Sequence, residues 1–413
     1  MKTSPIKGTR DYLPTEAELR DSLQNIIANT YKKAGYERIT TPILEAAENL
    51  DKSDGGENLN LIFKVLKRGK KLENALENSP TENSLSDMGL RYDLTLPLSR
   101  YYAANKENLV TPFKVIQMDR VYRAERPQKG RLREFMQCDI DIIGNPDSDA
   151  ETDLILTTAK ALKAIGLDKF TIKLNDRRIL KAIFTYSGFD DSYFDKISIA
   201  FDKLDKIGMD GVKEELEEIG LPSDPISKFL SIFKSESLSL EDVRHIEGCT
   251  EYADRLLGII NTVNAITDNA YELKFTPSLV RGQGYYTGTI FEVAVDGYSG
   301  AVAGGGRYDN LIGKFLKQDI PAVGFSIGFE RIFGILSEDE NLKMADKPKK
   351  IALFFDDDNM KDAFKYADTL RETMNVSLIK RPKKLGKYLN KIENAGFDGF
   401  KVYGEEGDIK LFD

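Results

Sequence analysis

The sequence predicts an α+β protein of more than one domain, and three observations carry that expectation. Two strand-like segments, "PFKVIQMDRVYRAE" and "RLREFMQCDIDIIG", flank the Pro- and Gly-bearing loop "RPQKG", which predicts an antiparallel pair. From about Arg177 to Asn264 the pattern is helical, acidic and lysine-rich with few strand signals, the mark of a helical insertion. Beyond the charged linker "SEDENLKMADKPKK" the tail alternates strand and helix, which predicts a small α/β domain. A length of 413 residues exceeds one ordinary core and fits two or three domains.

Each element follows in order. Between Glu16 and Lys33 the apolar positions Leu19, Leu23, Ile26, Ile27 and Tyr31 recur at spacings of three and four, an amphipathic helix. "GYERITTPILE" (35 to 45) reads as a β-branched strand closed by Pro42. Residues 67 to 88 are polar and weakly patterned, an exposed insertion or hairpin. After the antiparallel pair come a second amphipathic helix, "ETDLILTTAKALKAIGL", and the strand "KFTIKLND". Strand-like text resumes at "LVRGQGYYTGTIFEVAV", "GAVAGGGRYDNLIGKF" and "PAVGFSIGFERIFGIL". The tail runs through "IALFF", a helix to Met374, "VSLIK", a helix to Asn394, and "GFKVYG".

Composition narrows the chemistry. His245 is the only histidine, so His-based metal sites and Ser-His-Asp triads are disfavoured. Cys138 and Cys249, far apart and alone, make no disulfide framework and suit a reduced cytosol. No apolar stretch approaches the roughly 20 residues that span a bilayer, and no apolar run follows the first lysine as a secretory signal requires. With 59 basic and 67 acidic side chains the net charge of −8 opposes indiscriminate nucleic-acid binding, yet permits a local basic site.

Such a site lies in residues 120 to 135, "RVYRAERPQKGRLREF", where Arg120, Arg123, Arg126, Lys129, Arg131 and Arg133 crowd together. Guanidinium forks match phosphate oxygens bidentately, so two strands and a turn carrying them can grip phosphates. A solvated, salt-bridged hairpin is the alternative. In "AGGGRYD" (303 to 309) three glycines let backbone approach a ligand, and no GK[ST] follows as a Walker loop would need. "RGQGYYTG" (281 to 288) joins Arg281 to Tyr285 and Tyr286. On a strand that pair points to opposite faces, so at most one lines a pocket unless the strand bends, and a core-aromatic role competes. "GFSIGFER" puts Arg331 on the first turn of a helix, where a structural ion pair is the plainer role. Asp93 stands beside Thr95, and Gln137 and Asp141 share one face of a strand. Carboxylates and an amide facing arginines suit a small zwitterion with a polar side chain.

The ordered set resembles the histidyl-tRNA synthetases, class II aminoacyl-tRNA synthetases, from about residue 5 to the tail. "GTRDYLP" and "GYERITTPILE" are similar to the family's N-terminal signature and first class motif. "RYDLTLPLSRYYAAN" resembles the segment that holds the amino-acid ammonium, and "VYRAERPQKGRLREFMQCDIDIIG" the second class motif with its loop. "LVRGQGYYTGTIFE" and "AVAGGGRYDNLIG" resemble the two histidine-specific motifs, and "VGFSIGFERIFGIL" the third class motif. The resemblance implies a class II antiparallel-sheet catalytic domain over 1–340, with its helical insertion at about 177–264, and an α/β anticodon-binding domain over 347–413. It implies that Asp93, Leu94, Thr95, Gln137 and Asp141 hold histidine, and that Tyr285 and Tyr286 shape its pocket. Arg123 takes the α-phosphate of ATP, with Glu125, Arg131 and Arg331 also at the nucleotide. Arg281 is the histidine-specific arginine at the reacting phosphate. Arg126, Gln128 and Lys129 meet the tRNA acceptor end, and "KRPKKLGK" (380 to 387) offers a basic patch to the anticodon arm or is a solvated charge run. ATP with Mg²⁺, histidine and tRNA(His) are the implied substrates and partners, with no metal site from protein ligands, in a cytoplasmic homodimer.

Three departures stand out. Gly284 occupies a position where the family usually has aspartate, the tail ends at "DIKLFD" short of the family's last helix, and residues 67 to 88 match no family segment. Two alternatives share the fold: a non-catalytic, histidine-sensing paralogue like the regulatory subunit of ATP phosphoribosyltransferase, and a synthetase-like ligase charging another carrier. Loss of the arginines would favour the paralogue, and Arg123, Arg281 and Arg331 are all present.

Overall fold

The computed structural model describes residues 1–51, 60–78, 80–127, 131–233, 238–281, 284–298, 300–338 and 348–412. The chain divides into two compact units, Met1–Arg10 with Gln24–Asp339, and Asp11–Leu23 with Glu340–Asp413.

The helix Pro14–Lys33 buries Leu23, Ile27 and Tyr31, the positions that its spacing of four selects. The stretch expected as one strand closed by Pro42 is two, β1 (Glu37–Arg38) and β2 (Leu44–Ala46), in different sheets. Proline lacks the N–H that would continue the ladder, and at that break the Arg91 side chain donates to the Thr41 carbonyl at 2.9 Å. β3 (Lys64–Leu66) and β4 (Ser86–Leu90) join β2 in a small antiparallel sheet ordered β2-β4-β3. Residues 67 to 88 hold the short helices Lys70–Glu77 and Glu82–Leu85 and the start of β4, so the segment is not a simple hairpin, and Lys70–Glu77 buries no residue, as expected of an exposed insertion.

The main sheet adds β5 (Phe113–Tyr122), β6 (Glu134–Ile143), β7 (Thr171–Asp176), β8 (Glu272–Phe275), β9 (Thr289–Ala294), β10 (Ala303–Arg307) and β11 (Ala322–Gly328). Among the described residues it has eight strands in the order β1-β5-β6-β11-β10-β9-β7-β8. The pairs from β5 to β7 are antiparallel, and only the two outermost pairs are parallel. The antiparallel pair read from the sequence is therefore present, with Arg120 opposite Met136. Alternation along β6 sends Cys138, Ile140 and Ile142 to one face, all at most 2% exposed, where the helix Ser148–Ala164 packs. Gln137, Asp139 and Asp141 take the other face.

Between β7 and β8 lies the helical insertion, from the helix Arg177–Ser187 to Thr250–Thr267. Its core is aromatic: Phe229 sits edge-on to Phe184, Phe201 and Phe233, with ring centroids 5.0–5.1 Å apart.

The second unit carries β12 (Lys350–Phe355), β13 (Asn375–Lys380), β14 (Gly399–Val402) and β15 (Lys410–Leu411), ordered β13-β12-β14-β15. The first three are parallel and are linked by the helices Met360–Leu370 and Leu385–Glu393, the α/β alternation read from the tail. The short antiparallel β15 had no periodic signal, being two residues long. Among the described residues, no helix is long and apolar enough to cross a membrane.

Candidate ligand cleft on the antiparallel sheet

A cleft of about 450 Å³ opens over β6, β11, β10 and the segments before β5 and β9. Its floor is glycine. Gly304, Gly305 and Gly306 on β10 face Gly324 and Ser326 on β11. A Cβ on Gly304 would stand 2.5 Å from the Arg281 guanidinium, and one on Gly324 would collide with the Asp141 carboxylate. These glycines are required because functional side chains lie flat across their backbone.

Of the residues singled out in the sequence, Asp93, Thr95, Arg123, Glu125, Arg131, Gln137, Asp141, Arg281, Tyr285, Tyr286 and Arg331 all line this cleft. Leu94 does not; it is fully buried, and its carbonyl accepts from the Gln117 amide at 2.8 Å. Arg126 is exposed outside the cleft, and Gln128 and Lys129 lie outside the described residues.

The tyrosine pair differs from expectation. Tyr285 and Tyr286 precede β9 in a turn, so strand alternation does not separate them. Their rings meet edge-on at 5.0 Å and both reach the cleft. Tyr285 also packs in the core cluster with Leu98 and Tyr308, so the core and pocket roles coincide in one side chain. Gly284, where aspartate was expected, is an exposed turn residue.

The cleft carries charge of both signs. Among its carboxylates are Asp93, Asp139 and Asp141, each at most 5% exposed. Asp141 accepts a 2.6 Å hydrogen bond from the Tyr308 hydroxyl. Asp93 accepts from the Leu96 N–H at 3.2 Å and, more weakly, from Tyr285 at 3.5 Å. Burial, and the nearby charge of Asp93, push the Asp141 carboxyl up to about 7 although the Tyr308 bond opposes the rise. Burial also raises Asp93, and burial with Asp141 alongside raises Asp139 well above the carboxylate range.

Arg123, Arg131, Arg281 and Arg331 line the same cleft, and the Arg123 charge acts on Asp93 and Asp139. Arg123 donates to the Tyr92 carbonyl at 3.0 Å and lies 5.0 Å over the Phe135 ring. Arg281 pairs with Glu292 at 3.2 Å, and Arg331 donates to the Ala301 carbonyl. Burial, with Arg131 and Arg281 adding positive charge, lowers the Arg331 pKa. Crowded guanidinium groups of this kind favour an anion among them.

Among the cleft residues not singled out in the sequence are Asp139, Tyr308, Ser326 and Phe135. The signal for Asp139 was available, since it shares the strand parity that links Gln137 with Asp141. Tyr308 directly follows the glycine-rich strand. Ser326 and Phe135 carried no signal apart from their neighbours.

Fold and cleft together bring buried carboxylates and guanidinium groups into one cleft on an antiparallel sheet. The family model described as histidyl-tRNA synthetase matches residues 8–332. A histidine–tRNA ligase of Leifsonia xyli subsp. xyli is 39% identical over 413 aligned residues, covering 96% of this chain and 94% of that protein. The crystal structure of histidyl-tRNA synthetase from Nostoc sp. PCC 7120 superposes with a TM-score of 0.79 at 26% identity, over 97% of this chain and 91% of that one. A structure described as an ATP phosphoribosyltransferase regulatory subunit/histidyl-tRNA synthetase from Bacillus halodurans has a TM-score of 0.78 at 19% identity, covering 97% of each chain, a likeness of fold. The chain belongs to the histidyl-tRNA synthetase family.

Proposed function

We propose that this chain is a histidine–tRNA ligase, which activates histidine with ATP to histidyl-adenylate and transfers it to tRNA(His). One observation carries the reading: buried carboxylates and several guanidinium groups line a single glycine-floored cleft. Adenylate formation joins a cationic amino acid to an anionic nucleotide, and a cleft carrying both kinds of charge accepts both.

Asp93, Thr95, Gln137 and Asp141 hold histidine, with Tyr285, Tyr286 and Tyr308 closing the pocket. Leu94 contributes by backbone only, its carbonyl fixing the Asp93–Thr95 turn through Gln117. Arg123, Glu125, Arg131 and Arg331 hold ATP. In the chemical step the histidine carboxylate attacks the α-phosphorus, the bond from that phosphorus to the bridging oxygen of the β-phosphate breaks, and pyrophosphate leaves. Negative charge meanwhile grows on oxygens that already repel the nucleophile. Arg123 and Arg281, fixed by Tyr92 and Glu292, stabilise that charge without reorganising. Holding the reactants in line supplies much of the remaining acceleration. No side chain is required as general base, because a carboxylate is already the nucleophile.

Magnesium enters as the companion ion of ATP. The described residues contain no group of three or more His, Cys, Asp or Glu side chains able to hold a metal alone, and no step here depends on a protein-held ion. Arg126, Gln128 and Lys129 reach the acceptor end of tRNA, the second unit engages the anticodon arm, and the protein works as a cytoplasmic homodimer. The test is purified protein with ATP, histidine, labelled pyrophosphate and tRNA(His). Histidine-dependent pyrophosphate exchange and histidyl-tRNA formation are expected. Histidine binding without either product would overturn the ligase reading in favour of a histidine sensor.

A further inference from the structure

The N-terminal segment "GTRDYLP" has no role in the assignments above, although its glycine lies against the arginine-rich loop. Residues 6 to 9 form a reverse turn. The Ile6 carbonyl accepts from the Thr9 N–H at 2.9 Å and from the Thr9 hydroxyl at 2.7 Å. Gly8, third in the turn, has a φ of +90°, a value that residues with side chains rarely adopt. Its α-carbon is also covered. A Cβ on Gly8 would stand 2.7 Å from the Pro127 Cγ, and 2.8 and 2.9 Å from the Cγ and Cδ of Arg133. Glycine is therefore needed twice, for the turn and for what packs on it.

What packs on it is the base of the loop that carries the cleft arginines. The Arg133 N–H donates to the Gly8 carbonyl at 2.6 Å, and the Arg123 N–H donates to the Arg133 carbonyl at 2.9 Å. The Arg133 side chain then turns back. Its Nε donates to the Glu125 carbonyl at 3.2 Å, and a terminal nitrogen approaches the Lys7 carbonyl at 3.5 Å. Each of these four contacts is to main chain, so Arg133 fixes backbone rather than answering a carboxylate. On the other stem, the Ala124 N–H donates to the Leu61 carbonyl at 2.8 Å. Arg123, Glu125 and Arg131 line the cleft, with Glu125 and Arg131 paired at 3.4 Å, whereas Gly8 and Arg133 do not line it. Like charges repel, so guanidinium groups crowded on one loop stay in register only where their main chain is held. We propose that the turn at residues 6 to 9 braces this loop, with Gly8 and Arg133 as positioning residues that set Arg123, Glu125 and Arg131 against the nucleotide. This rests on the ligase reading and gives the first residues of the chain a part in it. A triphosphate entering the cleft then meets donors whose backbone is pinned on both stems, and little reorganisation is left to be done on binding.

The experiment is histidine-dependent pyrophosphate exchange by the full-length protein and its Gly8→Ala, Arg133→Ala and Gly8→Ala/Arg133→Ala variants. KM is measured separately for ATP and for histidine. Each single substitution should raise the KM for ATP by about tenfold, since a small misplacement of positioned groups is costly. The KM for histidine should hardly move, because Asp93 is held by Leu96 and Asp141 by Tyr308, away from the loop. The double variant should be no worse than the poorer single one, because both substitutions break the same contact. A merely structural role would instead lower both affinities together. Equal rises for ATP and histidine, additive losses in the double variant, an unchanged KM for ATP, or the unfolding of both single variants would each overturn the brace. If only one single variant folds, its ratio of ATP to histidine effects decides. A wild-type protein without histidine-dependent exchange defeats the ligase reading instead. Calorimetric titration of an ATP analogue with a methylene group between the α- and β-phosphorus then decides the brace by itself. Weaker binding by the variants sustains it, and equal binding, or none by the wild type, removes it.

Discussion

Arg307 and Tyr308 are adjacent in sequence and serve two buried charge clusters of opposite character. Arg307, 2% exposed, grips Glu151 with two hydrogen bonds of 2.8 and 2.7 Å, and Arg255 adds two more at 3.1 and 3.2 Å. Burial alone would raise the Glu151 carboxyl, but the Arg307 bonds and the charges of Arg307 and Arg255 hold it below its usual value. Tyr308 points instead to Asp141, whose carboxyl stands at about 7 with two more carboxylates nearby. Burial is similar in both clusters; charge balance is not. A buried carboxylate whose charge is answered within the chain belongs to the scaffold, while one left unanswered marks where a ligand must bring the charge.

That contrast is most severely tested at Arg307. Arg307→Ala leaves Glu151 fully buried with Arg255 as its remaining cation. Breaking a buried pair by removing one partner costs roughly 3–5 kcal/mol. Denaturant titration should show that loss of stability. A cost below about 1 kcal/mol would mean that the balanced cluster is not structural after all.

Next in size is Arg281→Ala. The side chain lies over Gly304 and, among the described residues, pairs with Glu292, which is 23% exposed, so its removal leaves no fully buried charge stranded. The expected loss falls on the reaction, on the order of 3 kcal/mol of transition-state stabilisation, or about a hundredfold in exchange rate. The melting temperature should hardly move. Exchange close to wild type would remove Arg281 from the chemistry.

These two arginines also show what was legible in the sequence. Arg281 stood out because it stands beside glycines and a tyrosine pair, and its role was implied by the family resemblance. Arg307 was passed over as part of "AGGGRYD", because its partner Glu151 lies 156 residues earlier and no local pattern links them. The same limit hid the split of 35 to 45 into two sheets, which depends on Arg91 reaching Thr41 from 50 residues away. Strand and helix identities followed from local periodicity, and so did the shared face of Gln137 and Asp141. The joint reach of Tyr285 and Tyr286 into one cleft did not, since a turn obeys no alternation.

Asp141→Asn probes the unbalanced side. With a folded-state pKa of about 7, above the ordinary carboxylate value of 3.8, the stability linked to this group is complete below about pH 4 and disappears as pH rises through 7. The Asn variant, measured without ligand, should flatten that decline by on the order of 2 kcal/mol, because Asp93 and Asp139 share the titration. It should also weaken histidine more than ATP in separate titrations, since a polar partner of the side chain is altered. Equal losses for the two ligands would place Asp141 outside the histidine pocket.

The smallest effect belongs to a pair that is balanced but not buried. Lys380 and Asp357, in the second unit, approach to 2.6 Å, the same distance as Arg178 and Asp176 beside the main sheet. Their side chains are 65% and 77% exposed, whereas Asp176 is fully buried. Water and salt screen the exposed pair, and holding a long lysine in one rotamer costs entropy. Lys380→Gln should therefore change stability by no more than about 1 kcal/mol, and by less in high salt. Arg178→Gln should cost several times as much and vary little with salt, because it strands a buried carboxylate. Denaturant melts of both variants at low and high ionic strength make the comparison. If the two losses came out equal, distance rather than burial would set the strength of these pairs, and the distinction between the Glu151 and Asp141 clusters would lose its physical basis.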